Sequence, residues 1–212
     1  KQLREESPDM FSVSSGGLVV SLSPQDQLTG EYILKGYGQL GYDAIGVQWN
    51  DLAYGQSFIQ NDQLPWVASN RRNGGFEFSR QLERGGQQLT VFSWLDPAQD
   101  PQAAMHSDEP EVSADTLKLT QALQQARQAG RLTLLTTSIS LEQAKQTLPL
   151  QHVDILLINS AYEVYGEPQK VADTLVLQPG SRGMRLGHVK IALNDQGRID
   201  HYEHKSISMP NG

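Results

Sequence analysis

There is no cysteine among the 212 residues. That absence excludes disulfides, thiolate zinc sites, a cysteine nucleophile and haem attached through C-x-x-C-H. Basic charge is scarce as well: 17 Lys and Arg against 24 Asp and Glu give a net charge of −7. No basic run or Lys/Arg-rich helix offers a footprint for a phosphate backbone, which argues against a nucleic-acid partner. Long apolar runs are missing, and with none approaching the ~18 residues of a spanning helix the sequence predicts no membrane span. Histidine is sparse and scattered, at His106, His152, His188, His201 and His204.

What remains reads as one globular unit. A chain of this length can bury a full core, and residues 1–212 contain no repeat, low-complexity tract or interior linker, so a single domain is expected. It opens at Lys1 with neither Met nor a signal peptide, as expected of a processed chain or a piece of a longer one.

Apolar runs at Leu18–Leu22, Asp43–Gln48, Leu64–Ser69, Gln88–Trp94, Leu132–Thr136 and Val153–Ile158 predict strands. Helices are expected over Tyr32–Leu40, closed by Gly41, over Ser113–Ala129 with Ser113 as N-cap and Gly130 as stop, and over Leu141–Leu148 before Pro149. Residues Asp96–Glu111, rich in Pro and Asp, read as loop. Strands at Thr174–Gln178, Arg185–Leu193 and Arg198–Ser206 follow, the last two joined by an Asn194-Asp195-Gln196-Gly197 turn. Alternating strands and helices followed by a run of strands predict a layered α/β sandwich with an antiparallel portion.

Three segments carry a family resemblance. Gly41-Tyr42-Asp43-Ala44-Ile45 runs on to Asp51-Leu52-Ala53-Tyr54-Gly55. Leu64-Pro65-Trp66-Val67-Ala68-Ser69-Asn70 follows, and then the stretch from Val153 to Tyr202 containing VDILLI, EPQKV and LVLQPGSRGMRLGHVKI. Together they resemble the metal-binding domain of the calcineurin-like, 5′-nucleotidase-type phosphoesterases, whose patterns here are G-Y-D-A…G-N-H-[DE]-F-D-Y-G, F-P-x-L-x-A-N and V-D-V-I-I-G-G-H-S-H…Q-A-G-x-x-G-x-x-L-G-x-L. The resemblance implies a four-layer α-β-β-α metallophosphatase-like sandwich. Lys1–Asp9 resembles the end of the helix after the family's first strand, so that strand, with its D-x-H ligands, is expected to have no counterpart. The strands Leu18–Leu22, Asp43–Gln48, Leu132–Thr136 and Val153–Ile158 are expected in one sheet packed on the C-terminal strands, with helix Ser113–Ala129 outside.

The family's chemistry needs two divalent metals held by Asp, Asn and His, which generate a hydroxide for in-line attack on a phosphate ester. Carried over residue by residue, the resemblance puts other residues at those positions. The family's G-D after its second strand falls on Ser23-Pro24, with Asp26 nearby. Its G-N-H-[DE] falls on Gln48, Trp49, Asn50 and Asp51, so an indole stands for the ligand Asn and an amide for the catalytic His. The single later His falls near Thr137, and the G-H-S-H pair on Ser160 and Tyr162. Pro24, Trp49, Asn50, Asp51, Thr137, Ser160 and Tyr162 are thus expected to converge on one sheet edge as a relict site without metal, cofactor or catalytic residue.

Other features have plain readings. His201 and His204 lie three apart on a strand and face opposite sides, so they cannot share an ion. Gly180, Gly183 and Gly187 read as turn glycines, because no helix follows them to make a phosphate cradle. Ser138 and Ser140 have no His at any triad spacing. Asn50, Asp51, Ser160 and Tyr162 would make either a polar pocket or loop residues paired among themselves, and Trp49 either a recognition aromatic or a plug. The reading that follows is a non-catalytic structural or protein-interaction module. Its rivals are a phosphoesterase with a rearranged site and a metal-free nucleotide or small-anion binder. The resemblance further implies a periplasmic or cell-surface location and a protein partner, with a multihaem cytochrome or the rest of its own precursor as candidates.

Overall fold

The computed structural model describes residues 2–19, 23–60, 63–72, 75–101, 111–159, 166–179 and 185–208. A short helix α1 (Gln2–Glu6) leads to strand β1 (Val13–Ser14), helix α2 (Pro24–Leu40) and strand β2 (Ala44–Gly46). A 3₁₀ turn over Trp49–Leu52, helix α3 (Gln56–Gln60) and strand β3 (Trp66–Val67) come next. The second half holds β4 (Arg80–Arg84), β5 (Gln87–Trp94), α4 (Leu117–Gln128), β6 (Leu132–Thr137), α5 (Leu141–Thr147), β7 (Ile155–Ile158), β8 (Gly166–Val171) and β9 (Thr174–Gln178). A hairpin of β10 (Arg185–Leu193) and β11 (Ile199–Ser208) completes it.

Three apolar clusters separate four layers. The outermost joins Leu34 of α2 and Phe58 and Ile59 of α3 to Ile45 and Trp66 of the parallel sheet β1-β2-β3. Ala44 and Val67, on the other face of that sheet, meet Leu89, Val91, Leu134, Ile155 and Leu175 of the six-stranded sheet β4-β5-β6-β7-β9-β8. Val189, Ile191 and Tyr202 of the hairpin join this middle cluster, so the hairpin lies in the same layer as β1-β2-β3. The third cluster packs Leu119 and Leu123 of α4 and Leu141 and Ala144 of α5 on Phe92, Leu135 and Leu156. This is the α-β-β-α sandwich, with β5, β6, β7 and β9 running parallel.

The four strands expected side by side divide between the two sheets: β2 belongs to the first, β6 and β7 to the second. The strand expected at Leu18–Leu22 is also displaced. Its place is taken by Val13–Ser14, while Leu18 and Val19 are buried in the following loop against α2, and residues 20–22 lie outside the described residues. An apolar run reports burial, and a loop end can be buried as thoroughly as a strand.

The helix stops agree with the sequence reading, as does the start of α5, but the starts of α2 and α4 do not. Gly41 closes α2 with φ 65°, the left-handed C-cap glycine tolerates, but the helix starts at Pro24 rather than Tyr32 because Pro fits the first helical position. Ser113 accepts from Asp115 N at 3.1 Å and Asp115 from Leu117 N at 2.8 Å, so α4 begins a turn later than Ser113. Strands β4 and β8, unmarked in the apolar pattern, form the sheet edges with Arg80, Glu83 and Arg84 on one and Pro168 and Lys170 on the other; such residues keep edges from pairing with other chains. Among the described residues no helix is long and apolar enough to cross a membrane.

Candidate functional site

The C-terminal ends of the parallel strands of both sheets meet along one edge. Gly46, closing β2, abuts Ser93 of β5 and Thr136 of β6 so closely that a Cβ there would lie 2.2 Å from Thr136 Oγ1. Only glycine lets the two sheets approach this far.

Loops leave this edge after each strand, and Asp51 organises the first two. It sits in the 3₁₀ turn after β2, fully buried. Its Oδ2 accepts from Gly17 N at 2.8 Å and Gln48 N at 2.9 Å; its Oδ1 accepts from Leu18 N at 2.6 Å and Val19 N at 3.3 Å. Three successive backbone N–H groups thus wrap a carboxylate as an anion nest does. Burial pushes the Asp51 carboxyl above its ordinary range, and the four N–H donors pull the other way. Gln48 closes a capping box with Asp51 and donates Nε2 to Ser15 O at 2.8 Å. Asn50 donates Nδ2 to Val19 O at 2.6 Å.

The same turn reaches the second sheet. Trp49 donates Nε1 to Asp96 O at 2.7 Å, beyond the end of β5. Asn70, beyond β3, donates to Leu95 O and Ser113 O and accepts from Leu95 N, which satisfies its whole amide. Thr137 donates Oγ1 to Trp94 O at 3.2 Å, and Thr137 O accepts from Asn159 N at 3.0 Å. Asn159 then returns to the first loop, donating Nδ2 to Gly16 O at 3.3 Å. The strand-end loops are therefore stitched in a ring from the β1 loop through the β2 turn and the ends of β5, β6 and β7, and back.

Trp49, Asn50, Asp51 and Thr137 accordingly share this edge. Pro24 does not follow a strand; it opens α2. The strand feeding that helix ends at Ser14, and the glycine pair Gly16-Gly17 follows it. Ser160 and Tyr162 lie outside the described residues. Gln48, Asn70, Asp96 and Asn159, which make most of the ring, are not among the site positions expected from sequence, although Gln48 and Asn70 fall in the resembling segments. The one signal for the first loop is Gly16-Gly17, both with positive φ.

These residues do not fit a pair of divalent metals. Such ions need carboxylate and imidazole donors converging on open positions. Among the described residues no group of three His, Asp or Glu is placed to hold an ion. Asp51, in the turn after β2, has both oxygens engaged by backbone donors, and a Cβ on Gly17 would already lie 2.9 Å from Gln48 Oε1 and 3.2 Å from Asn159 Nδ2.

No protein-family model matches the sequence, and no curated protein matches it. Solved structures do match in fold. The sulfate thiohydrolase SoxB of Thermus thermophilus superposes with a TM-score of 0.77 at 17% identity, over 98% of this chain and 40% of its own. A 5′-nucleotidase precursor, also from Thermus thermophilus, gives 0.77 at 13%, over 98% of this chain and 47% of its own. The calcineurin-like phosphoesterase YfkN of Bacillus subtilis gives 0.70 at 13%, over 98% and 79%. The chain thus has the fold of the 5′-nucleotidases and calcineurin-like phosphoesterases, and it spans less than half the length of the first two.

Proposed function

We propose that this chain is a non-catalytic, metallophosphatase-like domain, a structural or protein-interaction module of an exported protein related to the 5′-nucleotidases. The observation that supports this is the closed ring of hydrogen bonds at the strand ends. Asp51 is spent on four backbone N–H groups. Trp49 packs beside the outer cluster and donates to Asp96 O, which supports a plug over a recognition aromatic. The three solved structures described above are hydrolases by name, and this reading separates the chain from their chemistry while keeping their architecture. An exported location and a protein partner follow from the resemblance to secreted 5′-nucleotidases.

The test is hydrolysis of p-nitrophenyl phosphate, AMP and a UDP-sugar with added Mn or Co, alongside calorimetric titration of Mn, Co and Zn. No metal-dependent turnover and no tight stoichiometric uptake are expected. Turnover that requires metal, follows the chain through purification and drops in Asn50→Ala or Asn159→Ala would overturn the reading. Fractionation of the source cells tests the location.

A further inference from the structure

Helix α2 is apolar on two faces. Its inner face, with Leu34 buried and Ile33 and Tyr37 packed beside it, holds the helix on β1-β2-β3. Its outer face carries Leu28, Tyr32 and Leu40, exposed by 58%, 66% and 55%. With Gly36 these side chains stand four apart, so they form one ridge along the helix. Gly36 is a gap in it: a Cβ there would meet nothing within 4 Å.

We propose that this ridge is the contact of a two-fold symmetric dimer in which α2 packs antiparallel on α2 of a second copy. Self-complementarity carries the inference. A two-fold through the helix midpoint at Leu34 exchanges position 28 with 40 and position 32 with 36. Leu28 then lies against the partner subunit's Leu40, and the Tyr32 ring seats over the gap at the partner subunit's Gly36. An isologous interface requires every contact to occur twice in this way. The charges agree as well. Lys35 lies over the Tyr32 ring, with Nζ 5.6 Å from its centroid, and Glu31 is on the same flank. In an antiparallel pair the like flanks face each other, so Lys35 meets Glu31 of the partner subunit, an attraction on each side rather than a repulsion.

One ridge of four positions is small. It puts the contact below the ~1,200 Å² total of standard interfaces, among weak and reversible associations. The inference goes beyond the proposed function, since self-association is read separately from turnover.

The experiment is sedimentation velocity of the chain from about 5 to about 500 μM, where weak interfaces report. A concentration-dependent monomer–dimer equilibrium is expected. Tyr32→Glu and Gly36→Glu should each weaken it at least tenfold. The glycine substitution places a better helix former where a Cβ meets nothing within 4 Å, so its Tm should not fall and loss of the dimer could not be blamed on unfolding. The absence of cysteine allows a geometric check. Oxidising Tyr32→Cys mixed with Gly36→Cys should give the mixed disulfide in excess over either homodimer, and over a Ser57→Cys control. A monomer throughout the range, a dimer indifferent to both glutamates, or cross-linking no better than the control would each overturn the proposal.

Discussion

The environment of Asp51 is wholly structural: four backbone N–H groups converge on its oxygens, and with the carboxylate removed several buried donors would have no acceptor. Asp51→Ala is therefore expected to destabilise the chain by about 3 kcal/mol, read as a lower urea midpoint with little change in slope. Asp51→Asn should recover little, because its amide presents N–H to N–H. From sequence, Asp51 was legible as a site position but its role was not: the donors that claim it come from residues 17–19, more than thirty positions away. Asn159 and Asn70 were equally hidden, since nothing in a lone Asn announces that its amide will bridge two sheets.

At the scale of elements, the strongly periodic or continuously apolar segments were readable. Strands β5, β6, β7 and β9, helix α5 and the Asn194–Gly197 turn all lie where patterning puts them, because in these segments local preference and burial agree. Pairing was not readable: burial on both faces says that a strand is central without saying in which sheet. Helix α2 offers two tests of local chemistry. Gly41, left-handed at the C-cap, should lose about 1 kcal/mol on change to Ala, whereas Gly36→Ala should gain roughly 0.5–1 kcal/mol from helix propensity. Thermal melts of the pair distinguish a glycine required by the backbone from one that is merely permitted. Just beyond the cap, Tyr42 stacks on Tyr37 with centroids 4.7 Å apart, and burial followed by the neighbouring Tyr37 raises its pKa from 10.0 to about 12. The fold favours the neutral phenol, so its contribution is complete below pH 10 and is lost as pH rises through about 12. Urea midpoints across that window should fall with pH, and Tyr42→Phe should make the fall shallower. Tyr37, also raised by burial, keeps part of it.

Across the whole molecule, the hairpin is the piece whose attachment depends on few contacts. β10 and β11 pair as strands with each other but with no strand of either large sheet among the described residues. What fixes the hairpin is its apolar face on the middle cluster, Tyr202 donating to Pro168 O at 3.1 Å, Lys170 donating to Ile199 O and Asp200 O, and one charge cluster at its base. In that cluster Arg198, beside the turn, donates to Asp154 Oδ2 at 2.8 Å and to the carbonyls of Arg131 and Arg127. Asp154 is buried and is held from the other side by Thr133 N at 2.9 Å, so the pair joins the hairpin to the centre of the six-stranded sheet. Charge-assisted bonds shielded from water are among the stronger single contacts, and losing them leaves Asp154 with Thr133 and the more distant Arg127 at 3.7 Å. Arg198→Ala should therefore cost about 2 kcal/mol. The loss should fall unevenly: amides of β10 and β11 should exchange with solvent markedly faster, while those of β5, β6 and β7 change only by the drop in global stability. Hydrogen exchange read segment by segment separates the outcomes. Equal acceleration in the hairpin and the six-stranded sheet would mean that the two open together, and that the Arg198–Asp154 contact supports the whole fold rather than docking one piece of it.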